Sequence, residues 1–513
     1  MDGYELQPGE KMAREQAAGN ETRGTLCSIR ISFAGVLAIA LCASPGCRVG
    51  PDHGPPTAPL SDQWKNPAET DKEISSVVNA DICGPWWSEF RDPVLDRLIQ
   101  LAVETNPGLY EACFRVLESR ARRGVVKGDL FPEVKGTGSY DYKKISGNGS
   151  PYAIVSQDSF NLFSTGFDAA WEIDIWGKYR RAVAAADAEV GITANDYNYV
   201  LLTLLGDVAA AYVELRMYQQ RIEVARQNVK VQEHTLNLAQ KRHSVGLTKP
   251  LDVAQARSSL HATKATIPAL EIGYEQAENR LCVLLGGTPC DLRAQLGTTQ
   301  PIPTSPQDPS LGMPADLLRR RPDVRSAELK VAAESQRIGI AVADLYPQLS
   351  LTGTITVDST DIVNLFTPES IAHKVGPSLS WNIINFGRLR NRIKAQEARF
   401  EQAVWHYQTV VLSAAEEVEN ALVASKREQV RSKSLELAVA ASKESVRLSE
   451  IYYSQGLADF QSVLDSQRSL LLQQDQLTVS HAKVTLNRIA LYKALGGGWA
   501  AATQGVFIDY VEP

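Results

Sequence analysis

Along this chain the spacing of apolar positions switches between two periods, and it does so twice in the same order. Val134, Gly136, Gly138, Tyr140 and Tyr142 alternate with Lys135, Thr137, Ser139 and Asp141. Phe163, Thr165, Phe167, Ala169, Trp171, Ile173 and Ile175 alternate with Ser164, Asp168, Glu172 and Asp174. Further on, Leu349, Leu351, Gly353, Ile355 and Val357 alternate with Ser350, Thr352, Thr354 and Thr356, and Val375, Pro377, Leu379, Trp381 and Ile383 with Gly376, Ser378, Ser380 and Asn382. A period of two gives a strand one apolar and one polar face, so these stretches predict four strands.

The rest of the patterned sequence steps by three and four. From Arg180 to Val245 there is no proline, and only Gly191 and Gly206 interrupt. Tyr197, Leu201, Leu204, Val208, Ala211, Leu215, Tyr218, Ile222, Ala225, Val229, Leu236 and Ala239 form a heptad seam broken once by Gln232. At about 1.5 Å per residue this predicts a rod of roughly 100 Å. Arg390 to Gln455 predicts a second rod, its seam weakened at Ser425, Glu428 and Ser432. Shorter helices are expected over Pro107–Leu130, Leu251–Leu285, Pro322–Leu345 and Phe460–Leu495. The fold class is therefore mixed α+β, long helices with four strands.

The two halves are copies. Trp171, Gly177, Gly246 and Gly286 return as Trp381, Gly387, Gly456 and Gly496, each 210 positions on. Pro107 and Pro132 return as Pro322 and Pro347, 215 positions on, so the length drift lies between Pro132 and Trp171. Such a long unit is a duplicated module rather than a solenoid repeat. The plan is a first repeat over 86–290, a linker over 291–313, a second repeat over 314–498 and a tail over 499–513.

Four strands of the length a membrane strand needs, about 9–11 residues, leave two open edges. Lipid tolerates no open edge, and a closed bacterial barrel takes at least about 8 strands, so several chains would share one barrel. The competing reading is a soluble β-subdomain with one wet face. The N-terminus favours the membrane. Ile29–Leu41 is a short apolar run after Arg23 and Arg30, ending in small residues before Cys47, as in a signal peptide over 1–46. Cys47 is a lipidation candidate, and Pro51, Pro55, Pro56 and Pro59 make 47–85 an extended linker. The seven cysteines form no metal-ligand spacing, and Cys282–Cys290 or Cys83–Cys113 are the conceivable disulfides. A net charge of −6 with mixed signs gives no footprint for nucleic acid.

Several motifs give the chain a family likeness: Gly46–Asp52 (GCRVGPD), Asp92–Ile99 (DPVLDRLI), Leu311–Glu328 (LGMPADLLRRRPDVRSAE), Gly376–Trp381 (GPSLSW) and Val463–Leu470 (VLDSQRSL). It resembles the TolC-like outer-membrane factors, specifically the OprM/NodT-type lipoproteins of resistance-nodulation-division efflux systems. The resemblance covers nearly everything after the leader. It implies a homotrimer in which the strands form a twelve-strand β-barrel and the helices a periplasmic coiled-coil barrel. The implied partners are outer-membrane lipid, a periplasmic adaptor and an inner-membrane resistance-nodulation-division transporter.

No catalytic constellation stands out: HExxH, GxxxxGK[ST], GxGxxG and GxSxG are all missing, and no cofactor is expected. The functional candidates are the turns between long and short helices, expected at the periplasmic mouth. Asp252 lies in the first turn; Asp459 and Asp465 lie in the second, where Ser462 departs from the acid usual in the family motif. Repeated around a symmetric pore, one such carboxylate becomes a ring that favours cations and gates. The plainer role for each is helix N-capping. The expected function is an efflux exit duct for small solutes such as drugs. The same architecture also suits metal-cation or type I polypeptide export, and a structural envelope lipoprotein is the non-transport reading.

Overall fold

The computed structural model describes residues 48–52, 54, 84–144, 159–289, 292, 296–297, 300–304 and 318–499. Cys47 and the leader lie outside these residues, as do Cys83 and Cys290. The chain divides into a strand unit, built from Pro132–Arg180 and Val342–Ile384, and a helical unit, built from Pro51–Phe131, Arg181–Ala341 and Asn385–Pro513.

In the strand unit β1 (Glu133–Lys144), β2 (Ser159–Glu172), β3 (Gln348–Ser359) and β4 (Ile371–Ser380) form one antiparallel sheet in the order β1-β2-β3-β4. Directly opposed residues of an antiparallel pair share a face, and the register merges the predicted apolar sets into one. Gly136, Phe167, Ile355 and His373 make one cross-strand row; Val134, Ala169, Gly353 and Val375 make another. The opposite face carries Lys135, Asp168, Thr354 and Lys374 in a row, with Ser139, Ser164 and Asp358 beside it. The apolar face is bare: Val134, Phe167, Ile355 and Val375 are 63%, 64%, 61% and 79% exposed.

The second and fourth strands stop earlier than the alternation predicts, so Ile173, Ile175 and Ile383 lie outside them. The reason is local for Ile173 and Ile175. The Asp174 carboxylate accepts the amides of Tyr179 (3.2 Å) and Arg180 (2.9 Å) and the Arg180 Nε (3.1 Å), closing the entry to the long helix past Gly177 at φ +78°. In the second copy Ile384 holds that position, and the helix starts from Gly387 without a side-chain cap.

The helical unit contains α1 (Pro93–Thr105), α2 (Pro107–Gly128), α3 (Lys178–Ser244), α4 (Pro250–Leu284), α5 (Pro322–Ala343), α6 (Arg388–Ser454) and α7 (Phe460–Ala494). The copies match in length: α2 and α5 have 22 residues, α3 and α6 have 67, and α4 and α7 have 35. The main core joins Leu95 and Leu98 of α1, Leu109 of α2, Leu205, Tyr212 and Leu215 of α3, Leu281 of α4 and Ile489 of α7. A second core packs Val324 and Val331 of α5 against Tyr407, Val411 and Val418 of α6. Gln232, Ser425 and Ser432, which break the heptad pattern in sequence, are nonetheless buried. Gln232 Nε2 lies 3.5 Å from Ser259 Oγ of α4. Cys113 and Cys282 are buried in the main core. Among the described residues no helix is long and apolar enough to cross a membrane.

Candidate gate at the helical turns

Each long helix ends in the same way. Gly246 and Gly456 take φ +77° and +78°, a left-handed conformation that side-chain-free glycine adopts at little cost. Their amides bond to His243 O (2.9 Å) and Tyr453 O (3.1 Å), while those of Leu247 and Leu457 bond to Arg242 O (2.9 Å) and Tyr452 O (2.8 Å). This is the Schellman closure, in which the residue after the glycine usually packs back on the helix. Here Leu247 and Leu457 stay 66% and 73% exposed.

The short helices start differently. Asp459 is the N-cap of α7, accepting the Ser462 amide at 3.2 Å and also the Ser462 hydroxyl. Those two bonds to the ionised form hold its carboxyl below the usual carboxylate range. At the start of α4, Pro250 opens the first turn and the cap position falls to Lys249, which makes no side-chain bond. Asp252 therefore sits inside that turn and accepts the Thr248 hydroxyl. Asp465 lies beyond the first turn of α7, where its exposed carboxylate accepts Gln461 Nε2 at 2.9 Å and stands 3.7 Å from Arg468 Nη1. Of the three, only Asp459 caps a helix. Within one chain each carboxylate keeps its own partners, and none is bonded to another.

Sequence reasoning missed the contacts that hold the two turns together. Arg242 Nη1 donates to the last carbonyl of α6, Ser454 O, at 2.7 Å, and its guanidinium lies 4.8 Å from the centre of the Tyr453 ring. The Tyr453 hydroxyl is 3.4 Å from Thr248 Oγ1, and its ring packs 5.1 Å from that of Phe460. Ala239, Ala256, Tyr453, Phe460, Val463 and Leu464 form a small core beneath this latch. The one signal in the sequence is a cation and an aromatic ring three to four residues ahead of the two glycines.

The family profile "Outer membrane efflux protein" matches residues 98–287 and again 313–497, once in each copy. The pyoverdine export outer membrane protein OpmQ of Pseudomonas putida is 32% identical over 421 residues, covering 81% of this chain and 88% of that protein. Nodulation protein T of Rhizobium leguminosarum bv. trifolii is 28% identical over 458 residues, covering 88% and 95%. The solved structure of the outer-membrane channel OprN superposes with a TM-score of 0.80 at 31% identity, over 88% of this chain and all of that one. The chain belongs to the outer membrane efflux protein family. It is an outer-membrane efflux duct that extends into the periplasm.

Proposed function

We propose that three copies of this chain close one twelve-strand barrel and conduct small solutes such as drugs passively across the outer membrane. The observation that carries this is the sheet: a bare apolar face, a polar face opposite, and unpaired edges at β1 and β4. Copies joined edge to edge satisfy every backbone group, put the apolar face in lipid and leave the polar face lining water. Cys47 carries the lipid anchor at the mature N-terminus. The helical turns form the periplasmic mouth, with Asp465 as the pore-lining carboxylate and Asp459 and Asp252 behind it. A periplasmic adaptor docks on the exposed Leu247 and Leu457, and an inner-membrane resistance-nodulation-division transporter supplies the energy. The duct itself performs no covalent chemistry. Purified protein in a planar bilayer should show discrete conductance steps; a folded, inserted oligomer that never conducts would leave only a structural envelope role.

A further inference from the structure

The two strand pairs of the sheet are copies down to the residue. β3 repeats β1 at 215 positions on, and β4 repeats β2 at 210 positions on. Moved by those steps, the β1–β2 pair Glu133–Ala170 becomes Gln348–Ser380, and Tyr140–Phe163 becomes Ile355–His373. Both are pairs that β3 and β4 make. The β2–β3 pairing, which joins the first copy to the second, has no counterpart within the chain. That counterpart would join β4 to a β1, and these are the outer strands of a sheet too small to close on itself.

Three observations mark the missing pairing as a contact with another copy of the chain. β1 is exposed at every position and β4 at all but Gly376, whereas β2 and β3 are mostly half-buried. Gly166 of β2 has to be glycine, because a Cβ there would run into Ile355 O and Thr356 Cα of β3; its repeat, Gly376, has nothing of its own chain within 4 Å. Past the end of β2, Trp176 stacks on Tyr346 at 4.7 Å and donates to Pro347 O at 2.8 Å. The repeats of that ring pair, Phe386 and Phe131, are 98% and 62% exposed.

We infer that β4 of one copy pairs antiparallel with β1 of the next in the register that β2–β3 prescribes. On the apolar face Pro377 then lies opposite the partner's Tyr140, Leu379 opposite the partner's Gly138 and Trp381 opposite the partner's Gly136. On the polar face Ser378 lies opposite the partner's Ser139. The pairing carries β4 past Ser380, as β3 carries β2 past Ala170. The backbone of the partner's Tyr140 and the partner's Asp141 makes Gly376 as confined as Gly166, and Phe386 packs on the partner's Phe131. A slip of one residue would mix the two faces. A slip of two would set Leu379 against the partner's Tyr140, or Trp381 against the partner's Val134, in place of the glycines that make room for them. The inference rests on the closed barrel proposed above and names the residues that close it.

Oxidative cross-linking of the full-length protein in outer membranes reads the register. Ser378→Cys with Ser139→Cys, and Leu379→Cys with Gly138→Cys from the other face, supply one hydrogen-bonded pair and one closer, non-hydrogen-bonded pair. Each double variant should give a covalent trimer, reversed by dithiothreitol, at least about tenfold faster than the slipped combinations of Ser378→Cys with Thr137→Cys or Asp141→Cys. The parent protein and the single variants, checked for heat-stable oligomer, set the background of the native cysteines. Slipped pairs that link as fast overturn the register, and so does an intact oligomer that links at neither matched pair. A wild type that stays monomeric defeats the barrel reading and the register with it. A second measurement needs no cysteine: Gly376→Ala should lose the heat-stable oligomer while Ser378→Ala keeps it. Undiminished oligomer in Gly376→Ala overturns the inference.

Discussion

Asn106 and Arg321 perform the same task in the two copies with different chemistry. Asn106 Nδ2 donates to Leu284 O at 2.9 Å, and Arg321 Nη1 donates to Ala494 O at 2.7 Å; both carbonyls sit at the last residue of the closing short helix. Asn106 also caps α2 through the Leu109 amide. Arg321 is buried and bonds further to Asp323 and Glu417, each at 2.8 Å. Arg321→Ala strands a helix-end carbonyl and unbalances two carboxylates, and should cost about 2–4 kcal/mol. Asn106→Ala should cost about 1–2 kcal/mol. Thermal unfolding followed by circular dichroism gives the order; a smaller loss at Arg321 than at Asn106 would contradict it.

Periodicity made the elements legible, because both helix and strand advertise a fixed repeat. The rod read as Arg180–Val245 runs Lys178–Ser244, and the four alternating stretches became neighbouring strands with their apolar sets on one face. What periodicity cannot report is which helix faces which. The Arg242–Tyr453 latch joins residues more than two hundred positions apart that are not equivalents in the repeat, so no local pattern announces it. Gln232 and Ser432 read as interruptions because a polar residue in a seam looks like a flaw until its packing is seen. For the carboxylates, Pro250 does carry information. A proline at the first helical position puts Asp252 three residues past the cap position, too late to cap.

The two faces of the sheet should respond oppositely to charge. Arginine at Phe167 or Leu351, on the bare apolar face, should cost up to about 2–4 kcal/mol per chain at mid-membrane, and a trimer carries the lesion in every copy. Arginine at Ser164 or Thr352, on the polar face, should be tolerated; at Ser164 it meets Asp358. The yield of heat-stable oligomer in membranes separates the outcomes, and equal tolerance on both faces would mean the sheet does not meet lipid.

Gly166 is a sharper probe of the same sheet. A Cβ there would lie 2.2 Å from Ile355 O and 2.6 Å from Thr356 Cα, backbone atoms that cannot yield without breaking the β2–β3 pairing. At Gly128, the last residue of α2, nothing lies within 4 Å. Gly166→Ala should therefore abolish folded, membrane-inserted protein while Gly128→Ala accumulates normally, as quantified in isolated outer membranes.

Anchoring through Cys47, as proposed, should be separable from barrel assembly. With Cys47 acylated, Cys47→Ser should lose labelling by a fatty-acid analogue and shift the mass of the processed chain. The sheet should still hold the protein in the outer membrane, so export should fall little. Undiminished labelling in Cys47→Ser would remove the anchor from this residue.

We propose Asp465 as the gate residue because, unlike the other two candidates, it neither caps a helix nor bonds to the turn. Asp459 caps α7 and Asp252 takes the Thr248 hydroxyl, whereas the Asp465 carboxylate is exposed beyond the first turn. One such group per chain becomes a ring of three in a trimer, a site for divalent cations in a narrow pore. Asp465→Ala should then raise the concentration of divalent cation needed to block the channel from the periplasmic side, by roughly tenfold or more. Asp459→Ala should leave block unchanged and instead speed amide exchange at Ser462, whose N–H loses its acceptor. In wild type the depressed carboxyl makes that cap fully effective above the ordinary carboxylate range and lost only as pH falls through its lowered value. Exchange at Ser462 should therefore stay slow at mildly acidic pH and quicken only below it. The double variant should block like Asp465→Ala alone. Block that is unaltered in Asp465→Ala would take the gate away from this residue, and block altered only in Asp459→Ala would move it to the cap.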